Sequence, residues 1–298
     1  MRRLRLLFGL CVFCSLLNTV LSDERKAGEQ LKVNIKGNEY IFCWCPPGKF
    51  LMGSSVDEKK QAVDAIPKHL YDDLQLAFRL TIASETQHEV TITRGFYLLN
   101  TEVTQSMWKS VTGKNPSKFL GENLPVENVS WDTCDAFINK LNELSAVSAA
   151  RVNKSWRFAL PTESQWEYAC RAGTNTSYSF GEVLNGDKAN CDGNNPYGTD
   201  VKGPFAGQTT PAGSYPPNAW GLYDMHGNVW EWCSDWFSPS PSEHQTDPQG
   251  PENSYSKIIR GGSWDYLALR CRSAYRNNYI PAYKQNTIGL RIALIENR

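Results

Sequence analysis

Two carboxylates seven residues apart point to chemistry in this sequence, because both lie in a run of large aromatic side chains. Asp224 and Glu231 belong to residues 216–232, which we call the central stretch and which also contain three tryptophans and two glycines. Aromatic side chains bury a large area per residue, so we expect both acids to be buried. A buried carboxylate requires a cation or several hydrogen-bond donors. The stretch therefore predicts a bound cation, or acids paired with an arginine such as Arg260 or Arg291.

The cysteines offer a second kind of chemistry. Nine are present, and two of them fall in the N-terminal leader described below. Oxidising compartments favour disulfides, and an odd number leaves at least one thiol unpaired. Spacing does not define the pairs, although Cys43 and Cys45 face the same way on a predicted strand, which disfavours a bond between them. The seven cysteines beyond the leader are Cys43, Cys45, Cys134, Cys170, Cys191, Cys233 and Cys271.

The histidines do not suggest a metal site. His69, His88, His226 and His244 show no spacing typical of metal ligands. His226 lies in the central stretch, where a single histidine is more often a hydrogen-bonded structural residue. The formal net charge is zero and there is no basic run, so nothing in the composition favours a nucleic-acid partner.

The N-terminal residues predict export. Three arginines precede an apolar run that ends at Leu21, and residues 1–22 are predicted to be a cleaved signal peptide. An uncleaved anchor is the alternative, but the run is short and contains polar residues. Residues 23–30 are polar and are predicted to be a linker, which leaves 31–298 as one domain. We therefore expect a periplasmic, secreted or lumenal protein without stable membrane insertion after cleavage.

Short strands and capped helices are predicted to position these groups. The pattern changes after Gly173, where glycine, asparagine and proline dominate up to Pro217. Such a long irregular segment usually serves a function or is held by ligands. The predicted elements are strands over 31–52, two helices over 56–78 broken at Pro67, a hairpin over 88–99, helices capped by Thr104, Ser130 and Thr162, and strands over 257–260 and 287–295.

Several short blocks between Phe50 and Arg291 occur in the order of a known family. They are 102–105, 124–126, 129–131, 160–163, 166–169, 218–232, 260–264, 272–276 and 289–291. Through these blocks the sequence resembles the formylglycine-generating enzyme, or sulfatase-modifying factor, family, over nearly all of the chain beyond the leader. The resemblance implies an α+β fold related to C-type lectins, a single loop-rich domain with little regular secondary structure and with bound calcium.

The resemblance also shows what is missing. Members that make formylglycine oxidise a cysteine of a sulfatase peptide with oxygen, at copper(I) held by two cysteines that follow a Gly-Gly-Ser-aromatic block. Here that block is 261–264, and Tyr266 stands where the first cysteine is expected. Cys271 takes the second position only if the alignment has no gap. Arg272 and Arg276, however, align with the family only if a gap is placed before them. Copper(I) prefers thiolates to a phenol, so copper is not expected. The candidate catalytic residues are Cys271, Ser263 and Tyr266.

The resemblance implies calcium in the central stretch, where hard oxygen ligands suit this ion. The alternative is that Asp224 caps a turn and Glu231 pairs with an arginine. A second family site would use the Asn190 side chain and the Cys191 carbonyl, but its downstream acid has no clear counterpart. The implied ligands of the first site are the Asp224 side chain, the Gly227 and Val229 carbonyls and the Glu231 carboxylate.

Three functions follow from these observations. The preferred one is an exported binding or accessory protein with a peptide- or glycan-sized groove between the loop 230–232 and the region 260–275. The second is an oxidoreductase with altered metal chemistry. The third is a formylglycine generator in which Cys191 or Cys233 lies near Cys271. The predicted substrate-binding residues are Trp230, Trp264 and Arg276.

Overall fold

The computed structural model describes residues 25–68, 70–144 and 156–297, so the predicted signal peptide lies outside these ranges. Helices and strands alternate along the chain in an α+β arrangement. The helices in the described ranges are α1 Val56–Asp64, α2 Asp72–Ala83, α3 Gln105–Thr112, α4 Trp131–Glu143 and α5 Glu163–Arg171, with a 3₁₀ turn at Ala268–Cys271. The strands there are β1 Gln30–Ile35, β2 Asn38–Cys45, β3 Gly48–Met52, β4 His88–Ile92, β5 Phe96–Leu99, β6 Trp156–Ala159, β7 Trp230–Trp236, β8 Gln245–Thr246, β9 Lys257–Arg260, β10 Arg276–Tyr279, β11 Ile288–Gly289 and β12 Ala293–Glu296.

The largest sheet joins the two ends of the domain. It has five antiparallel strands in the order β1-β2-β5-β12-β6. Ala293 of β12 pairs with Leu98 of β5 on one side and with Ala159 of β6 on the other. Apolar side chains from these strands form part of the buried core. The sheet is therefore complete only when the last strand, β12, is in place between β5 and β6.

The predicted hairpin over residues 88–99 is wrong. Both strands exist, but β4 pairs with β3 and β8, whereas β5 pairs with β2 and β12. The short connection between them leads from one sheet to the other, and Gly95 lies so close to the Trp44 ring that a Cβ there would overlap it. Alternation of apolar residues identifies a strand but not its partner.

A four-stranded sheet, in the order β10-β9-β7-β11, holds the end of the central stretch. β7 begins at Trp230, and its parallel pairing with β11 sets Glu231 opposite Gly289. The predicted strand over 287–295 is therefore two strands, because β11 joins this sheet and β12 joins the first one. Arg291 lies in the short connection between β11 and β12, where the chain passes from one sheet to the other.

The predicted helix caps are confirmed. The Thr104 side chain accepts a hydrogen bond from the Met107 amide, and Gly113 ends α3 with a φ of 80°. Ser130 and Thr162 each take part in a capping box at the start of α4 and α5. These caps satisfy backbone donors that a helix terminus leaves unpaired.

The segment between α5 and β7 has no named helix or strand, as the sequence predicts. It is ordered instead by buried aromatic side chains and isolated bridges, including those of Leu184 with Tyr197 and of Asp192 with Leu267. The described part of the predicted linker also packs on the domain, where the Arg25 guanidinium lies 3.5 Å from the Trp44 ring centroid. None of the helices in the described ranges is long and apolar enough to span a bilayer.

Candidate functional site

Asn228 joins the central stretch to its surroundings. It is fully buried, and its φ of 57° lies in the left-handed region that asparagine tolerates. Its Nδ2 donates to Glu102 Oε1 at 2.9 Å and to the Thr210 carbonyl at 3.2 Å. Its Oδ1 accepts from the Thr210 amide and from Asn190 Nδ2, each at 3.0 Å. One side chain thus fixes the stretch to the irregular segment and to the residues before α3.

Three buried carboxylates meet one arginine beside Asn228. Glu231 accepts from Arg291 Nη2 at 2.8 Å and from Trp166 Nε1 at 2.7 Å. Burial raises the pKa of Asp224 to about 6. The pKa of Glu102 lies well above its usual value, first because of burial and then because of the Asp224 charge. Three ionised acids against one guanidinium would leave two negative charges in the core.

Two oxygens of this cluster fit a cation. Asp224 Oδ1 and Glu102 Oε2 accept from no amide, hydroxyl or amine donor, although the two carboxyl groups hydrogen-bond to each other when one is protonated. Asp224 Oδ2 accepts from the Gly213 amide at 2.5 Å. Both oxygens of Glu231, in contrast, already bind Arg291. Across the described ranges no group of three or more histidine, cysteine, aspartate and glutamate side chains is arranged to hold a metal. A calcium ion would therefore depend on carbonyls as well as carboxylates.

The residues of the second implied calcium site are brought together only in part. Asn190 Oδ1 is buried without a partner, while Asn190 Nδ2 donates to the Gln208 carbonyl at 3.0 Å. Cys191 is buried beside it. Pro204, which stands near the place of the family's acid, supplies no carboxylate and lies with its carbonyl against Gly193.

Cys271 lies at the end of the 3₁₀ turn and is fully buried. Its pKa is well above that of a free thiol, first because the Cys191 side chain hydrogen-bonds to it and then because of burial. All seven cysteines in the described ranges are buried and reduced. Of the two thiols that the third hypothesis placed near Cys271, Cys191 adjoins it, whereas Cys233 lies in a different part of the core. An open thiol pair is not formed.

Of the other two candidate catalytic residues, one is buried and one is partly exposed. Ser263 is fully buried, and its Oγ donates to Asp265 Oδ1 at 3.0 Å. Tyr266 packs edge-on against Trp230, with 5.6 Å between ring centroids, and the Arg270 guanidinium lies 4.6 Å from its ring. Burial raises the pKa of Tyr266, so its phenol stays protonated at neutral pH.

The three predicted substrate-binding residues occupy different environments. Trp230 is fully buried in the core. Arg276 is almost fully buried, and its Nη2 donates to Glu163 Oε2 at 2.6 Å. Trp264 is partly exposed, and its ring centroid lies 5.4 Å from that of Phe119 and 6.5 Å from that of Phe205. We call Phe119, Phe205 and Trp264 the Trp264 surface.

The expected groove between the loop 230–232 and the region 260–275 is absent. Trp230, Trp232, Arg260 and Tyr275 are each at most 2% exposed, because they pack in the core between the two segments. Concavities occur elsewhere. One of about 830 Å³ lies along α4 and β6, and another of about 300 Å³ lies beside Arg276.

His226 has a role that the sequence did not define. The Ser179 amide donates to its Nε2 at 3.1 Å, so the proton of the neutral ring is on Nδ1, which donates to the Cys271 carbonyl at 2.8 Å. Burial lowers the pKa of His226 to about 4, so the ring is neutral at physiological pH. The histidine thus ties the central stretch to the segment that carries Cys271, in keeping with the structural interpretation.

The helices α1 and α2, which include the predicted helical segment 56–78, lie over the same region. The Arg270 guanidinium is 4.3 Å from the Phe78 ring centroid of α2. Arg272 Nη1 donates to Glu58 of α1 at 2.9 Å, and its Nη2 donates to Glu85 after α2 at 2.8 Å. Tyr275 hydrogen-bonds with Thr81. These contacts help explain why the segment around Cys271 is buried.

A family model described as a sulfatase-modifying factor enzyme 1-like domain matches residues 29–295. The formylglycine-generating enzyme of Streptomyces coelicolor is 34% identical over 197 residues, which cover 62% of this chain and 57% of that enzyme. The chaperone protein LppX of Paenibacillus barcinonensis is 33% identical over 231 residues, which cover 65% of this chain and 79% of LppX. The match covers 57% of the length of the Streptomyces coelicolor enzyme and only 20% of the length of another curated relative.

The fold has a solved counterpart. The structure of PvdO from Pseudomonas aeruginosa superposes with a TM-score of 0.67 at 25% identity, and the match covers 91% of this chain and 99% of that one. The α+β, single-domain fold that the two proteins share is the fold that the sequence resemblance implies. Because the family model spans nearly the whole chain, the protein belongs to the sulfatase-modifying factor enzyme 1-like family.

Proposed function

We propose that this protein is an exported binding or accessory member of its family. Its role is to present the Trp264 surface to a peptide or glycan partner. The observation that carries the proposal is the contrast between Trp264, which is partly exposed, and Cys271, which is fully buried. A buried thiol with a raised pKa is a poor nucleophile and a poor copper ligand. Tyr266 does not replace the missing cysteine.

The Trp264 surface has the composition of a recognition site. Three aromatic rings come from separate loops, and Phe205 is 45% exposed. The Trp264 indole nitrogen donates to the Asn286 carbonyl at 3.1 Å, which orients the ring. Oriented aromatic rings at a partly exposed surface suit stacking against a sugar ring or an apolar peptide side chain. The relationship to a protein named as a chaperone is consistent with an accessory role.

Calcium is proposed as a stabiliser of the scaffold. The Asp224 carboxylate and the Gly227 and Val229 carbonyls would hold the ion. Glu231 would contribute less, because both of its oxygens already accept hydrogen bonds from Arg291. The support is the unpartnered Asp224 Oδ1 and the excess of negative charge around it. When bound, the ion would supply charge neutralisation in the core and take no part in a reaction.

The binding role is tested with immobilised oligosaccharides and with a Cys-x-Pro-x-Arg peptide as probes. We expect the Trp264→Ala variant to lose at least about tenfold in affinity for the probe that binds, as loss of a central aromatic contact does. The matched control is Tyr255→Ala, since Tyr255 is 82% exposed on another part of the surface. Equal binding by both variants would exclude the Trp264 surface.

The alternative function, oxidation of a substrate cysteine, is favoured by one observation, the proximity of Cys191 to Cys271. We expect the reduced, copper-loaded protein to leave a Cys-x-Pro-x-Arg peptide unchanged in mass. Formation of the aldehyde by the wild-type protein, and its loss in the Cys271→Ser variant, would replace the binding role with the oxidase role. Loss of activity in Cys134→Ser as well would indicate misfolding instead.

A further inference from the structure

Cys191 and Cys271 stand apart from the other cysteines. The Cys191 side chain is hydrogen-bonded to that of Cys271, and both cysteines belong to the same buried core cluster. Cys43 and Cys45 lie on the same strand, and Cys45 Sγ donates to the Cys43 carbonyl at 3.8 Å.

The backbone keeps these two cysteines in register. The Asp192 amide donates to the Tyr266 carbonyl at 2.9 Å, and Asp192 forms a parallel bridge with Leu267. The Ala268 amide donates to the Asn195 carbonyl at 3.1 Å. The segment that follows Cys191 therefore runs beside the segment that leads into Cys271, at the point where the 3₁₀ turn begins.

The surroundings leave the sulfurs little room to turn away. Cys271 Sγ lies so close to Gly262 that a Cβ there would overlap it. Tyr178 is fully buried, and its hydroxyl donates to the Ala268 carbonyl at 2.7 Å. A bond between two thiols that already hydrogen-bond to each other requires little rearrangement of the side chains around them.

We propose that Cys191 and Cys271 form a disulfide bond when the protein folds under oxidising conditions. In this step an oxidised disulfide such as glutathione disulfide accepts two electrons and two protons from the thiols, the Cys191–Cys271 bond forms, and two glutathione thiols are released. The bond closes a long loop, and such a bond stabilises mainly by restricting the unfolded chain. It also fixes the irregular segment to the loop that carries Trp264.

The proposal extends the proposed function, because a disulfide would withdraw Cys271 from copper chemistry, but its test does not depend on finding a partner. The protein is refolded with glutathione disulfide, its free thiols are alkylated, and its protease fragments are identified by mass. We expect a fragment that links Cys191 to Cys271 and alkylation of the other thiols. Recovery of both cysteines alkylated, or linked to other residues such as Cys170, would overturn the proposal.

Two further measurements separate the bond from general packing. Reduction with a phosphine should lower the Tm of the wild-type protein by several degrees. Cys191→Ser and Cys271→Ser should each abolish that difference, whereas Cys134→Ser should retain it, because Cys134 is equally buried but lies in α4. If the two serine variants do not fold, the linked fragment and the reduction shift in the wild-type protein still decide the question. A wild-type Tm that is unchanged by reduction would contradict the proposal.

Discussion

At the scale of single residues, polarity in the core of this protein is balanced by specific partners. Asn228 satisfies groups from three segments, and Glu231 is held by Arg291 and Trp166. Such networks are strong when complete and costly when a member lacks its partner. Asp224 and Glu102 are therefore the acids for which this network requires a proton or a cation.

His226 makes stability depend on pH in a defined window. Burial lowers its pKa to about 4 from a usual value of 6.5. Between these values the unfolded chain binds the proton and the folded chain does not, so this contribution to stability is complete above pH 6.5 and is lost as the pH falls towards 4. We expect the urea midpoint of the wild-type protein to fall between pH 7 and pH 5 by more than that of His226→Asn, which keeps a donor for the Cys271 carbonyl.

The control for this prediction is His244→Asn, since His244 is exposed at the surface. Its midpoint should fall with pH as steeply as that of the wild-type protein. A His226→Asn variant with the same pH dependence as the wild-type protein would show that His226 does not titrate in this window.

At the scale of elements, the capped helices and most strands follow from sequence, whereas their assembly does not. Thr104, Ser130 and Thr162 are caps because a short polar side chain precedes an apolar helical face, which is a local signal. The separation of β4 from β5 depends on a tertiary contact, the packing of Gly95 on Trp44. Nor could local patterns reveal that the segment 56–83 covers Arg270 and Arg272.

The helical segment is attached through a buried ion pair. Arg272 binds Glu85 through two nitrogens, and Ser54 Oγ also donates to Glu85, at 2.7 Å. Removing one member of a buried pair leaves an uncompensated charge and costs about 3–5 kcal/mol. Because Glu58 still pairs with Arg272 at 2.9 Å, we expect Glu85→Gln to lower the free energy of unfolding by an amount at or below the lower end of this range, measured by urea denaturation.

A matched control is Asp64→Asn, which breaks the Lys60–Asp64 ion pair at the surface of α1. Exposed pairs contribute little, so this variant should unfold close to the wild-type midpoint. If Glu85→Gln were no more destabilised than Asp64→Asn, the ion pair would not be what attaches the segment to the domain.

At the scale of the whole molecule, the family scaffold is kept, and the candidate cysteine Cys271 is buried within it. The resemblance identified the family and the fold from ordered blocks that span the chain, and the family model and the PvdO structure agree with it. The candidate site was less predictable. Trp230 and Arg276 have side chains suited to binding a substrate. Their burial depends on how the sheet β10-β9-β7-β11 packs against the rest of the core, which the spacing of residues does not reveal.

Calcium binding would couple the central stretch to the stability of the entire domain, because the stretch contacts both large sheets. A ligand that binds only the folded state raises its stability, and removal lowers the Tm by about 2–4 °C for each kcal/mol lost in a domain of this size. We expect chelation to lower the Tm of the wild-type protein and added calcium to restore it. Asp224→Asn should reduce this response, whereas Asp187→Asn, at an exposed acid, should not. A wild-type Tm that is insensitive to chelation would mean that the excess charge around Asp224 is neutralised by protons instead.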